Sequence, residues 1–326
     1  MKKVLVLCGG NSSEHDVSLV SAKSILDNID NNLFKVSTVV IDYDNKWYEY
    51  CGKVDCLSDW KQQECECIDN IVNYLKKYDV IFPITHGTNG EDGKLQGMLD
   101  LFGIKYVGCK TSSSAICMDK DFSKMIFSYL GIPQIPFTTI SSNKIKIHDI
   151  IKNLGLPLIV KPANGGSSIG ISKVNNKKEL KKAIIEAFKY DEKIIIEKFI
   201  KARELECGIL EDRDFYISEV GEIISANEFY DYNAKYENKK SNTTIPAQLK
   251  KEIKDKIIKY AKTAFDGING RGLARIDFLY DEDNNQLYLN EINTLPGFTE
   301  ISMYPKLFIY SGIEYKDLIT KLINNC

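Results

Sequence analysis

The chain has 326 residues, 44% hydrophobic and 27% charged, an ordinary globular composition at a length of two or three domains. A net charge of −2 gives no electrostatic reason to expect nucleic acid or an acidic membrane surface as partner. No apolar run approaches the length of a membrane span. Met1-Lys2-Lys3 leads into Val4-Leu5-Val6-Leu7, too short for a secretory h-region, so the expected location is cytoplasmic. The nine cysteines are odd in number and scattered. Cys65-Glu66-Cys67 lacks the spacing of a zinc knuckle, and free thiols are expected.

Residues 4–8 read as a strand and Gly9-Gly10-Asn11-Ser12-Ser13 as a turn ending in helix-capping residues. Glu14 opens a helix with Val17, Ala22, Ile25, Leu26 and Ile29 at helical spacing. Phe34 to Ile41 is a second strand, and the cysteine-bearing stretch after Trp47-Tyr48-Glu49-Tyr50 carries no assignable pattern. Val80 to Ile84 is an apolar strand that runs into His86-Gly87-Thr88-Asn89-Gly90-Glu91-Asp92-Gly93. Strand, helix, strand in this order predicts a parallel sheet with sites at the carboxyl ends of its strands. Both Gly-rich turns then share one edge, with Glu14 near His86. Thr111 to Leu130 predicts one helix ended by Gly131 and carrying Met118-Asp119-Lys120. A strand at Phe137 to Ile140 and a short helix near His148 to Asn153 follow, with His148 on the surface.

Leu158-Ile159-Val160-Lys161-Pro162 is a strand ending on a lysine, and Ile171 to Val174 is again extended. The loop Ala163-Asn164-Gly165-Gly166-Ser167-Ser168-Ile169-Gly170 therefore joins two strands. That excludes a Walker A loop, which opens a helix, and also the Rossmann fingerprint. Alone it is a weak signal, although free N–H groups and two hydroxyls can fold over phosphates. Lys177 to Phe188 predicts a helix, and Ile194 to Phe199 and Leu205 to Leu210 predict strands. Glu197-Lys198-Phe199-Ile200 sets acid and base among apolar neighbours, as a purine pocket requires. Asn227 to Pro246, with three tyrosines in Glu228 to Tyr236, predicts a long ordered loop, and loops of that length are usually functional. Ala247 to Phe265, Ser302 to Tyr310 and Tyr315 to Asn325 predict helices.

The densest chemistry lies in a hairpin. Arg275-Ile276-Asp277 and Asn290-Glu291-Ile292-Asn293 flank the polar run DEDNNQ. Residues i and i+2 share a strand face, so closure would bring Arg275, Asp277, Glu291 and Asn293 together. Two carboxylates and an amide oxygen are hard ligands that suit Mg²⁺ and leave positions for phosphate. The same pattern also suits a surface hairpin with one cross-strand salt bridge. Leu295-Pro296-Gly297-Phe298 favours the site, because a turn there brings backbone N–H groups close.

Taken in order, these motifs resemble those of D-alanine–D-alanine ligases of the ATP-grasp superfamily, over residues 9 to about 307. The resemblance implies an α/β chain, α+β in its ATP-grasp part, with three domains. Residues 1–108 would form a parallel α/β unit with the first-substrate loops. Residues 109–193 would form a central unit with the Gly/Ser lid loop, and 194–326 a unit holding the 227–246 loop and the Mg²⁺ site. It implies ATP as a substrate with two Mg²⁺ or Mn²⁺ ions, D-alanine as the other substrate, no nucleic acid or membrane partner, and a homodimer. By the same resemblance, Lys120, Lys161, Gly166, Ser168 and Lys235 serve the phosphates. Glu197, Lys198, Phe199, Ile200, Glu204, Phe229 and Asn290 complete the nucleotide site, and Asp277, Glu291 and Asn293 bind metal. Glu14, Ser167 and Tyr236 form a triad joining two loops, with Glu14 on the first substrate's ammonium and His86 nearby. Arg275 and the Gly297 N–H form the oxyanion site, and Ser302 and Met303 hold the second substrate's carboxylate. Relatives that add D-serine tend to carry a basic residue where Met303 stands. D-alanine is therefore expected as second substrate, with D-serine as the alternative.

Overall fold

The computed structural model describes residues 1–141, 146–166, 169–212, 214–224 and 242–326. Its first unit is built on β1 (Lys2–Gly9), buried from Val4 to Cys8. A strand apolar at every position has to be covered on both faces. Helix α1 (His15–Asn28) crosses to β2 (Phe34–Ile41), which pairs parallel with β1. The stretch without pattern resolves into edge strand β3 (Trp47–Tyr50), a 3-10 helix at Val54–Gln62, and edge strand β4 (Cys65–Cys67). Strands of three or four residues are too short to show a period. After α2 (Ile71–Leu75), β5 (Val80–Pro83) pairs parallel with β1 on its other side, and α3 (Lys94–Leu101) follows. The strand order is β4-β3-β2-β1-β5. All nine cysteines are free thiols, and His148 is exposed.

Where one helix was expected there are two, α4 (Thr111–Met118) and α5 (Lys120–Tyr129). Asp119 leaves the helical region at φ −86, ψ 102, and its carboxylate accepts the Asp121 and Phe122 N–H groups at 3.0 and 3.2 Å. An aspartate can satisfy the orphan donors of a new first turn, so it restarts the helix instead of continuing it. The break has a positional result. Lys120 N–H donates to Ala163 O at 3.0 Å, which ties the start of α5 to the Gly/Ser loop.

Strands β6 (Phe137–Ile140), β7 (Leu158–Pro162), β8 (Ser172–Val174) and β9 (Ile194–Lys198) form an antiparallel sheet in the order β6-β9-β7-β8. Helices α6 (Ile147–Leu154) and α7 (Lys177–Ala187) cover one face of it. This sheet ends at Lys198, not at the 193/194 division expected from the sequence.

The third sheet comprises β10 (Arg203–Asp212), β11 (Asp214–Ile224), β12 (Asn242–Thr244), β13 (Leu273–Asp281) and β14 (Gln286–Asn293), in the order β12-β11-β10-β13-β14. β11 has no counterpart among the expected elements, and β12 occupies the end of the stretch read as a loop. Most of that loop lies outside the described residues. Helix α8 (Lys251–Gly267) packs on this sheet together with α4 and α5: Cys117 and Phe127 share a core with Ile257, Phe265 and Ile276. The chain closes with α9 (Met303–Tyr310) and α10 (Tyr315–Asn324). Leu318, Ile319 and Leu322 of α10 pack into the core of β1. The first and last segments are therefore held as one body.

Candidate active site

The second and third sheets and, from the first unit, α1 with the loop after β5 border one cavity of about 870 Å³, within the range of nucleotide and substrate sites. Every candidate residue that the structure describes lines it. Ser167, Ser168, Phe229, Lys235 and Tyr236 lie outside the described residues.

On the first unit's side, the turns after β1 and β5 meet as expected from their place on one sheet edge. Ser12 Oγ donates to His86 O at 2.8 Å. Glu14 is 8% exposed, and its carboxylate lies against two loop backbones. A Cβ on Gly87 would fall 2.8 Å from Glu14 Oε2, and one on Gly166 would fall 2.9 Å from it. Glycine at both positions lets the carboxylate reach the junction of the His86 loop and the Gly/Ser loop. Gly87 also has φ +78, a conformation that L side chains rarely adopt.

His86 is buried, with Nδ1 3.2 Å from Leu295 O and Nε2 3.0 Å from Ser21 Oγ. A carbonyl can only accept, so Nδ1 carries the proton and Nε2 accepts from the hydroxyl. Burial lowers the pKa of His86 from its ordinary value against the opposing charge of Glu14, which keeps the ring neutral. His86 acts here as a strut between the first unit and the 294–297 turn.

Sequence reasoning missed Glu91. Its carboxylate accepts the Gly87 N–H at 3.1 Å and lines the cavity. Burial, then the charge of Glu14, pushes it up to about 8. The signal was present, since Glu91 lies inside the Gly-rich run already singled out.

Lys120 Nζ donates to Gly165 O at 2.7 Å. Lys161, on β7, is 2.6 Å from Glu197 Oε2 on the neighbouring β9. Strand alternation puts both side chains on the cavity face. Lys198, Phe199, Ile200 and Glu204 continue along the seam between the second and third sheets and line the same cavity.

The hairpin closes in the expected register. Arg275 pairs with Asn293 and Asp277 with Glu291 across β13 and β14. Arg275 grips Asp277 through two bonds of 2.8 Å, and Asn293 Nδ2 reaches Asp277 Oδ2 at 2.9 Å. A bulge falls between Asp277 and Phe278, and Asn290 is the extra residue. Alternation alone would send Asn290 and Glu291 to opposite faces, yet both line the cavity.

Glu206 also escaped the sequence reading. It stands opposite Asp277 on β10 and lies 2.9 Å from Arg275 Nε. Glu206, Asp277 and Glu291 thus form a lateral row across three strands. The i, i+2 relation to Glu204 was the available signal. Burial works against the Arg275 charge, but Asp277 and Glu206 outweigh it and hold the guanidinium firmly protonated.

Among the described residues no three His, Cys, Asp or Glu side chains are grouped as a self-sufficient metal centre. Asp277, Glu291 and Asn293 offer two carboxylates and one amide, all hard oxygen donors. That set fits Mg²⁺ sharing its coordination with phosphate and water. Gly297 and Ser302 close the far end: a Cβ on Gly297 would sit 3.0 Å from Ser302 Oγ. Met303 is 6% exposed, and its Sδ would lie 2.9 Å from a Cβ on Gly221 of β11.

A parallel α/β unit set against two antiparallel sheets, with lysines and hard oxygen ligands facing a shared cleft, defines an ATP-grasp enzyme. Residues 3–109 match the family description "D-ala D-ala ligase N-terminus" and residues 126–324 match "D-ala D-ala ligase C-terminus". The chain belongs to the D-alanine–D-alanine ligase family. The D-alanine–D-alanine ligase of Caldicellulosiruptor bescii is 46% identical over 99% of this chain and 94% of its own. That of Clostridium acetobutylicum is 42% identical over 99% and 97%. Among solved structures, the VanG D-Ala:D-Ser ligase from Enterococcus faecalis has a TM-score of 0.90 at 36% identity, covering 99% of this chain and 98% of that one. The D-alanine–D-alanine ligase from Coxiella burnetii has a TM-score of 0.84 at 32% identity, covering 100% and 95%.

Proposed function

We propose that this enzyme joins two D-alanines to D-alanyl-D-alanine through a D-alanyl phosphate, converting ATP to ADP and phosphate, for peptidoglycan precursor synthesis. The observation that carries the reading is the convergence of Glu14, Lys120, Lys161, Arg275, Asp277 and Glu291 on one cavity, in a chain with curated relatives at 40% to 46% identity over nearly its full length.

Glu14 holds the first substrate's ammonium at the loop junction. Lys120 and Lys161 draw the triphosphate so that its γ-phosphorus meets the D-alanine carboxylate. Two Mg²⁺ or Mn²⁺ ions held by Asp277, Glu291 and Asn293 would neutralise charge on the transferring phosphoryl group. The amino group of the second D-alanine then attacks the acylphosphate carbonyl and phosphate leaves. Arg275 and the Gly297 N–H stabilise the oxyanion that develops, with Ser302 and Met303 at the second substrate's carboxylate. Ser167, Ser168, Phe229, Lys235 and Tyr236 keep the roles that the family resemblance gives them, and exclusion of water from the acylphosphate is assigned to their two loops. On this reading the enzyme is a cytoplasmic homodimer. Among the described residues no helix is long and apolar enough to cross a membrane.

The test is phosphate release from ATP and Mg²⁺ with D-alanine alone, then with D-alanine plus D-serine or D-lactate, with the product identified by mass. A D-alanyl-D-alanine product from D-alanine alone supports the reading. Turnover that requires D-serine would replace it with the D-alanine–D-serine activity.

A further inference from the structure

Lys124 lies one helical turn beyond Lys120 on α5, yet it is 1% exposed and does not line the cavity. Its Nζ is 2.7 Å from Glu197 Oε1, while the other oxygen of that carboxylate is 2.6 Å from Lys161 Nζ. The Phe137 ring lies 5.0 Å from the same ammonium. One buried carboxylate is thus clamped between two lysines, and only Lys161 and Glu197 face the ligand space.

Counting charge gives the consequence. Lys161 with Glu197 alone is a neutral pair, and a neutral pair offers a polyphosphate little net attraction. With Lys124 behind the carboxylate, the group carries one net positive charge, presented to the cavity at Lys161. We propose that Lys124 is a positioning residue for the nucleotide phosphates: by neutralising and orienting Glu197 from behind, it leaves the charge of Lys161 available to the ligand.

Burial raises the Glu197 pKa, but Lys161 and Lys124 outweigh it and hold the carboxyl well below its usual range, ionised at neutral pH. Burial lowers the Lys124 pKa and Glu197 opposes that shift, so each partner depends on the other for its charge. The inference rests on the ATP reading given above.

The experiment is calorimetric titration of the full chain with ATP and with adenosine. Lys124→Met should weaken ATP by on the order of tenfold and leave adenosine unchanged, because only the phosphates sense the missing charge. Lys124→Met combined with Glu197→Gln should recover the ATP-to-adenosine affinity ratio, because Lys161 is again unneutralised. Equal loss for both ligands, no loss for either, or a double variant no better than the single one would each overturn the proposal. If Lys124→Met does not fold, the double variant is compared with Glu197→Gln alone: a lower ATP-to-adenosine affinity ratio in the protein lacking Lys124 supports the proposal and equal ratios overturn it. Wild-type protein that binds no ATP would instead sink the ATP reading, so the two failures are distinguishable.

Discussion

Asp277 and Glu291 are direct partners across the β13–β14 ladder, with Arg275 doubly bonded to Asp277 on the same face. A cation between the two carboxylates would therefore compete with Arg275 for Asp277. The 2.9 Å contact from Glu206 leaves the arginine a second carboxylate when that happens. Glu291→Gln keeps the shape and removes one anionic oxygen donor of the proposed metal site. Turnover should fall by roughly 10²-fold or more. Mn²⁺ binding in the presence of ATP, followed by electron paramagnetic resonance, should weaken in parallel. Full activity in this variant would sink the metal assignment.

Glu91 yields a pH prediction. Burial and the charge of Glu14 raise its pKa from 4.5 to about 8. Between those values the folded protein keeps a proton that the unfolded chain has released. Stability from this site therefore falls as pH rises from about 4.5 to about 8, and stays low above that. The melting temperature of the ligand-free protein, relative to Glu91→Gln, should drop by a few degrees between about pH 5.5 and about pH 8.5. Parallel pH profiles for the two proteins would show that Glu91 does not titrate in this window.

These two sites show where the sequence was readable. The hairpin register followed from alternation, because Arg275, Asp277, Glu291 and Asn293 sit at period two beside an obvious turn. The bulge did not, because it inserts Asn290 without changing composition. The long apolar strand β1 and the meeting of Glu14 with His86 followed from strand–helix–strand order. The break at Asp119 was hidden inside a run of good helical spacing, and only the bridge to Asn164 shows what it serves. Glu206 and Lys124 read as ordinary surface charges in a single sequence. Their burial depends on packing between the second and third sheets, which no local pattern encodes.

Met303 tests the second-substrate preference. Its side chain forms an apolar wall over Gly221, with no partner for a hydroxyl. Met303→Arg introduces a long basic side chain at the same helix start, able to extend its charged end into the cavity. With equal D-alanine and D-serine, the proportion of D-alanyl-D-serine by mass should rise by roughly tenfold. An unchanged product ratio would count against Met303 as the discriminating residue.

Phe298 tests the joint that holds the far end of the site. It is fully buried, with ring centroids 5.8 Å from Phe82, 5.8 Å from Tyr304 and 5.7 Å from Tyr315. Its carbonyl accepts the Tyr315 hydroxyl at 2.5 Å, so α10 is pinned directly beside Gly297. Phe298→Ala leaves a cavity between β5, α9 and α10 and should cost about 3–5 kcal/mol of stability by urea titration. Tyr315→Phe removes the hydroxyl's bonds to Phe298 O and Ser24 Oγ and should cost about 1–2 kcal/mol. Both substitutions loosen the backbone that carries the Gly297 N–H, so kcat should fall in each while the affinity for ATP stays near wild type. A folded Phe298→Ala protein with wild-type kcat would mean that the turn keeps its geometry without this packing.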